Sequence, residues 1–207
     1  MSDRFAKRFE RPVISSVARI AVTVLVTILF SAAAHAADQI TPPAVPEGLD
    51  APTGFKPFLV GHAIGTQNYM CVVSGSGFEW VFIGPQATAF DANAQQILTH
   101  FQSKNPFDND VIDATWQHSR DTSAVWGRKV KGSSDPNYVA PGAVEWLLLR
   151  VTGAQVGPTG GDRLSSAQYI QRVNTIGGAK PPIADCSTST VNTRKLVYYE
   201  ADYYFYQ

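Results

Sequence analysis

The chain has 207 residues, of which 44% are hydrophobic, 11% aromatic and only 16% charged, a balance that excludes a disordered polymer and fits a packed core. Its 17 basic and 17 acidic residues cancel, but five basic and two acidic ones fall within residues 1–36. The remainder carries 12 basic and 15 acidic residues, a net −3 that argues against a nucleic-acid partner, because phosphate binding needs clustered Lys and Arg.

Arg4, Lys7, Arg8, Arg11 and Arg19 form a basic leader, followed by the uncharged apolar run from Ile20 to Phe30 and an A-x-A pattern at Ala34-His35-Ala36. Residues 1–36 therefore read as a signal peptide, and the expected location is periplasmic or secreted. The apolar run is about 11 residues, short of the ~20 of a spanning helix. Counted from Val17 to Ala34 it approaches that length, so an uncleaved segment is the one membrane association to expect. No cysteine follows closely enough for a lipid anchor. Residues 37–57 hold five prolines and read as an extended lead-in, either a spacer or a tail lying across the domain. Residues 58–207 suit a single β domain.

Within that domain Gln67 to Val73 alternates, with Tyr69, Cys71 and Val73 on one face. Ser74-Gly75-Ser76-Gly77 is a turn signal, so Phe78 to Ile83 completes a hairpin that Gly84-Pro85 is expected to end. Thr88 to Phe90 and Gln96 to Phe101 are shorter strands, with residues 91–97 a helical-turn alternative. After a polar loop over 102–114 come Thr115 to Ser119 and Ala124 to Lys131. Val144 to Thr152 is apolar at nearly every position, as in a strand covered on both faces. Tyr169 to Thr175 follows, and Lys195 to Tyr206 closes the series. In this last strand Val197, Tyr199, Ala201, Tyr203 and Phe205 form an apolar face, and Tyr198, Glu200, Asp202, Tyr204 and Tyr206 an aromatic and acidic one. Short strands separated by turns, with no long amphipathic helix, predict an all-β fold: an antiparallel β-sandwich or barrel with long loops. The two cysteines, Cys71 and Cys186, read as one disulfide in an oxidising compartment, with two buried thiols the alternative.

Several stretches are alike in kind and order to a known family. They are Gly65-Thr66-Gln67-Asn68-Tyr69-Met70-Cys71, Pro85 with Ala89-Phe90-Asp91, His100-Phe101, and Thr115-Trp116. Val144-Glu145-Trp146-Leu147, Ile170-Gln171-Arg172-Val173-Asn174-Thr175 with Gly177-Gly178, Cys186, and Tyr203-Tyr204-Phe205-Tyr206 continue the set. Over roughly residue 49 onward the chain resembles a family of secreted bacterial and fungal proteins classed as domain of unknown function 3455. The resemblance implies a secreted single-domain protein with a Cys71–Cys186 pairing and no assigned activity or catalytic residue. Some fungal members carry a malate-dehydrogenase label, but no G-x-G-x-x-G opens a helix after a strand here.

Chemistry-bearing residues are sparse. His62, His100 and His118 form no H-x-H, H-E-x-x-H or Cys-His pattern, so no metal and no cofactor is expected. His100 and His118, on adjacent strands, and Asp121 are the catalytic candidates, yet no G-x-S-x-G elbow supplies a nucleophile. Among Asp91, Asp113, Glu145, Glu200 and Asp202, the last two share a strand face and offer a carboxylate pair, although a solvated face has the same pattern. Asp108, Asp110 and Asp113 fall short of a calcium loop because Ile112 occupies the third ligand position. The Gly-rich stretch 157–162 lacks the Lys of a phosphate-binding loop. Trp80, Trp116, Trp126 and Trp146 are core candidates. Tyr198, Glu200, Asp202, Tyr204 and Tyr206 are the binding candidates, suited to an envelope protein or a glycan unless another layer covers the tyrosines. The expected function is a non-enzymatic binding or structural module. The alternatives are a hydrolase using His100 or His118 with a carboxylate, and a protein inhibitor.

Overall fold

Alternating apolar and polar residues, interrupted by turn formers, fold into eight strands in a computed structural model that describes residues 39–207. Residues 1–36, read above as a signal peptide, lie outside the described residues. The strands are β1 (Pro57–Ser74), β2 (Gly77–Phe90), β3 (Gln96–Lys104), β4 (Ile112–His118), β5 (Ala124–Ser133), β6 (Trp146–Gln155), β7 (Tyr169–Gly177) and β8 (Arg194–Tyr206). Each is antiparallel to the next, and β8 pairs back onto β1 in a continuous register from Leu59↔Phe205 to Met70↔Arg194. Of the two expected architectures the protein is therefore the closed barrel, with a single 3-10 turn among the described residues, at Ile183–Asp185.

One expectation is corrected. Gly84-Pro85 does not end β2, which runs on to Phe90 and is 14 residues long in all. The pairing of β1 with β2 steps across Ile83, from Tyr69↔Phe82 to Asn68↔Gly84, as a β-bulge. Gly84 takes φ +121°, open to glycine alone in practice, and a bulge tolerates the missing N–H of Pro85.

Both faces of the C-terminal end of β8 are covered, for different reasons. Tyr199, Ala201, Tyr203 and Phe205 point into the barrel, where they pack with Leu59, Leu98, Trp116, Val125, Leu149 and Ile170. Tyr204 and Tyr206 point outward, into a second cluster with Trp146, Leu148, Val173 and Val139. The lead-in caps that cluster: Ile40, Val45, Leu49, Ala51 and Phe55 all pack into it, and Leu49 is wholly buried. Gln171 anchors the crossing, its Nε2 donating to the Leu49 carbonyl at 2.6 Å while its Oε1 accepts from the Tyr206 hydroxyl at 2.7 Å. The lead-in is thus a strap across the outside of the barrel. It also explains the unbroken apolar run of β6, whose Leu147 and Leu149 face inward and whose Trp146 and Leu148 face the strap. All four tryptophans are buried.

Up-and-down connectivity gives the barrel two unlike ends. At one, the 156–168 connection between β6 and β7 turns Leu164 and Ala167 into the core. Asp121 in the β4–β5 turn latches it, accepting from the backbone N–H of Arg163 at 2.8 Å and from the Ser123 N–H and hydroxyl at 2.9 and 2.7 Å. A side chain at Gly161 would sit 2.1 Å from the Asp121 Cβ, so only glycine permits this approach. Burial raises the Asp121 carboxyl, but these hydrogen bonds and the neighbouring His118 outweigh it and hold the group at about 2. Asp121→Ala is expected to cost about 2–3 kcal/mol in urea unfolding, the scale of hydrogen bonds to a charged acceptor, and to speed amide exchange at Leu164. Stability within 0.5 kcal/mol of the parent and unchanged exchange would show that the latch contributes nothing.

At the other end the β1–β2 hairpin overshoots the barrel. The 178–193 connection between β7 and β8 folds onto its inward face, forming a third cluster of Tyr69, Cys71, Trp80 and Cys186. The Tyr69 hydroxyl donates to the Gly178 carbonyl at 2.8 Å and Trp80 Nε1 donates to the Pro182 carbonyl at 3.2 Å. A Cys71–Cys186 disulfide fastens the two segments, in the pairing the family resemblance implies.

Candidate functional site

Eight strands enclose an interior just wide enough to be filled by side chains or to hold one small ligand. Here the end latched by Asp121 is filled and the disulfide end is not. A cavity of about 240 Å³ opens there, with Trp116, His100, Tyr203, Leu147 and Leu149 among its lining residues. A neighbouring space of about 430 Å³ runs beneath the β5–β6 and β7–β8 connections and shares Gln67, Phe82, Leu147 and Arg172 with the first. Gly127 contributes to the opening: it faces Trp116 from β5 with no side chain.

The walls are apolar, but four polar groups enter them in addition to Gln102 and the charges of the rim. His100 on β3 is 4% exposed and stacks on Trp116 at 4.2 Å between ring centroids, with the Tyr203 ring edge-on at 5.0 Å. Its Nδ1 lies 2.9 Å from the Thr115 carbonyl, which can only accept, so Nδ1 carries the proton and Nε2 keeps a free lone pair. Burial pushes His100 down to about 3, with the Arg172 charge adding to it against the opposing carbonyl bond. The imidazole is therefore neutral at ordinary pH. Gln67 on β1 is 2% exposed, and its Nε2 has no hydrogen-bond partner; neither does Nε1 of Trp116, which is 1% exposed. Arg172 on β7 is the fourth group, shared by both spaces, and burial raises the Tyr203 hydroxyl against its charge.

The rim carries matched charges. Asp113 accepts from Arg128 Nε and Nη2 at 3.0 and 2.9 Å, from Asn105 at 3.0 Å and from the Thr152 hydroxyl at 2.9 Å. Burial raises its carboxyl, but these bonds outweigh that and hold it below the usual carboxylate range. Arg128 also reaches Asp108 at 2.7 Å, and Lys129 donates to both oxygens of Glu145 at 2.7 and 2.8 Å.

The candidates drawn from the sequence are dispersed by the fold. His100 lies in the cavity. His118 does not join it: its Nδ1 is 3.0 Å from Asp121 at the latched end, and neither residue lines the two spaces above. His62 is outside the barrel, 2.6 Å from Asp202, whose second oxygen accepts from Asn174 at 2.8 Å. Glu200 accepts from the Tyr198 hydroxyl at 2.5 Å, so the two carboxylates of that face are held by different partners. Tyr198 is 54% exposed, whereas Tyr204 and Tyr206 are buried beneath the strap. Asp108 and Asp113 converge on Arg128, while Asp110 turns to Lys104 at 3.5 Å. No group of three potential metal-ligating side chains occurs among the described residues.

Gln67, Arg172 and the Trp116 indole are absent from the sequence candidates. Their signal was present: Gln67 shares the alternating face of Tyr69 and Cys71, and Arg172 that of Ile170, so each is a polar residue on a core face.

A family model described as "Protein of unknown function (DUF3455)" matches residues 52–207. No curated protein and no solved structure matches the chain.

Proposed function

The chain belongs to this family of unknown function, and we propose that it is a non-enzymatic binding module of the periplasm or cell exterior that holds one small molecule inside its barrel. The observation that carries this reading is the pair of buried donors, Gln67 Nε2 and Trp116 Nε1, left without partners beside an apolar cavity. Buried donors are nearly always satisfied, because leaving one unmade costs about 1–3 kcal/mol. Both atoms are closed to water, so a ligand relieves that cost by drawing their side chains toward the cavity, and an apolar enclosure with a few convergent polar atoms is the usual form of a small-molecule site. The leader and the disulfide support the compartment, since such bridges persist where thiols oxidise. The cavity holds no hydroxyl or thiol nucleophile activated by a base. The His118–Asp121 pair, which has the right partners for a general base, lines neither of the two spaces.

Thermal-shift screening of the oxidised protein against small apolar molecules, followed by titration of the hits, tests the reading. One ligand per chain is expected. Leu147→Phe, which fills space shared by both cavities, should abolish binding, while Tyr198→Ala on the outer face should leave it unchanged. Undiminished binding by Leu147→Phe, or loss with Tyr198→Ala, would move the site out of the barrel. A complete absence of ligands would refute it.

A further inference from the structure

We infer that the ligand is a small monocarboxylic acid, its apolar body against Trp116, Leu147 and Leu149 and its carboxylate on Arg172, with Gln67 as a second donor. This rests on the small-molecule reading above and adds the charge and chemical class of what is held.

The argument is a charge inventory of the cavity wall. Arg128 and Lys129 are neutralised, the first by Asp108 and Asp113 and the second by Glu145. Those pairings occupy the acidic side chains that border the two spaces, Asp113 and Glu145. Arg172 is different. Its Nε and Nη2 donate to the backbone carbonyl of Glu145 at 3.2 and 2.9 Å, which orients the guanidinium without cancelling its charge. No carboxylate among the described residues lies within ion-pair distance of it. The adjoining space adds Lys180, likewise without a carboxylate partner among the described residues. Asp108 and Asp113 together exceed Arg128 by one negative charge at the rim, so Arg172 and Lys180 leave a net +1 over the two spaces.

Of the neutral groups, His100 Nε2 offers a lone pair, which can accept from a protonated group only, and the others point the same way as the charge. Gln67 Nε2 and Trp116 Nε1 are donors with nothing to donate to, and Arg172 retains further N–H groups. Donors around one fixed cation, set in apolar walls, match a planar anion of single charge. A dianion would bring a second negative charge into Leu, Phe, Pro and Trp surroundings with one guanidinium to meet it. The smaller space, about 240 Å³, suits a body of one or two fused rings or an equivalent short chain.

Isothermal titration of the oxidised protein with 2-naphthoate, 2-naphthamide and 2-naphthylmethylammonium, beside a matched octanoate, octanamide and octylammonium series, tests the inference. In each series that binds, the carboxylate is expected to bind at least about tenfold tighter than its amide, the scale of charge-assisted hydrogen bonds in a shielded site, and the ammonium not at all. Arg172→Met should erase the carboxylate preference while leaving amide affinity within about threefold, and Arg172→Lys should restore part of it. If Arg172→Met fails to fold, as judged by its circular dichroism, Gln67→Leu provides the second reading and should weaken the carboxylate more than the amide. Equal affinity for carboxylate and amide in the parent protein overturns the anion assignment and leaves the binding module standing. Failure of every compound to bind overturns both.

Discussion

Replacing both cysteines, Cys71→Ser with Cys186→Ser, is expected to lower the unfolding free energy by about 4–5 kcal/mol, the chain-entropy value for a closed loop of this size. The bridge joins residues 115 apart in sequence, so its removal releases most of the β domain in the unfolded chain. The loss in the folded state is local. Tyr69 and Trp80 still bond to Gly178 and Pro182, and the backbone pairs between Cys71 and the 192–193 segment remain possible. The variant should therefore keep the barrel's circular dichroism while its urea midpoint falls and amides of the 178–193 connection exchange faster. The same connection borders the larger space through Ala179 and Lys180, so ligand affinity should fall with it. A midpoint unmoved by the double substitution or by reductant would mean that the bridge adds nothing to the packing around it.

A second large effect is expected in acid. His100 titrates at about 3 in the folded protein and near 6.5 when unfolded, so between these values the unfolded chain binds a proton that the barrel refuses. Stability should then decline as pH falls through that window, by roughly 1.4 kcal/mol per unit from this group alone, or about 3 kcal/mol between pH 7 and pH 4. Asp113 and Asp121 shift in the same direction, with the same consequence at lower pH. Their folded carboxyls are held below the unfolded value, so their contribution is present above about pH 4 and lost below it. Urea unfolding of the parent and of His100→Phe, which can stack on Trp116 but cannot titrate, separates the two windows. The variant should be nearly flat between pH 4 and pH 7 and still weaken below pH 4. Parallel curves for the two proteins would show that His100 takes up its proton without opening the barrel.

How much of this was legible in the sequence varies with the range of the interaction. The two faces of β8 follow from alternation, a local property, and Tyr199, Ala201, Tyr203 and Phe205 point where that pattern puts them. The doubly covered β6 is equally local. Closure is not: the register joining β1 to β8 links residues more than 120 positions apart, and a sandwich would present the same strands. The Gly84-Pro85 bulge misleads because the residues that end a strand also bend one. The site was harder still. A polar residue in an alternating strand is normally read as facing solvent, so Gln67 and Arg172 become informative only once the barrel shows which face is inside. Tyr204 and Tyr206 looked like an outer surface because nothing local shows that residues 40–55 return to cover them.

The double partnership of β8 bears on how the molecule assembles. Until that strand docks, β1 and β7 each expose a row of unpaired amides and carbonyls along a hydrophobic sheet, the kind of margin that recruits other chains. Such long-range pairing is slow to form. A nascent chain should therefore depend on holding factors until β8 is delivered, and truncation before Arg194 should yield aggregate rather than a smaller soluble domain.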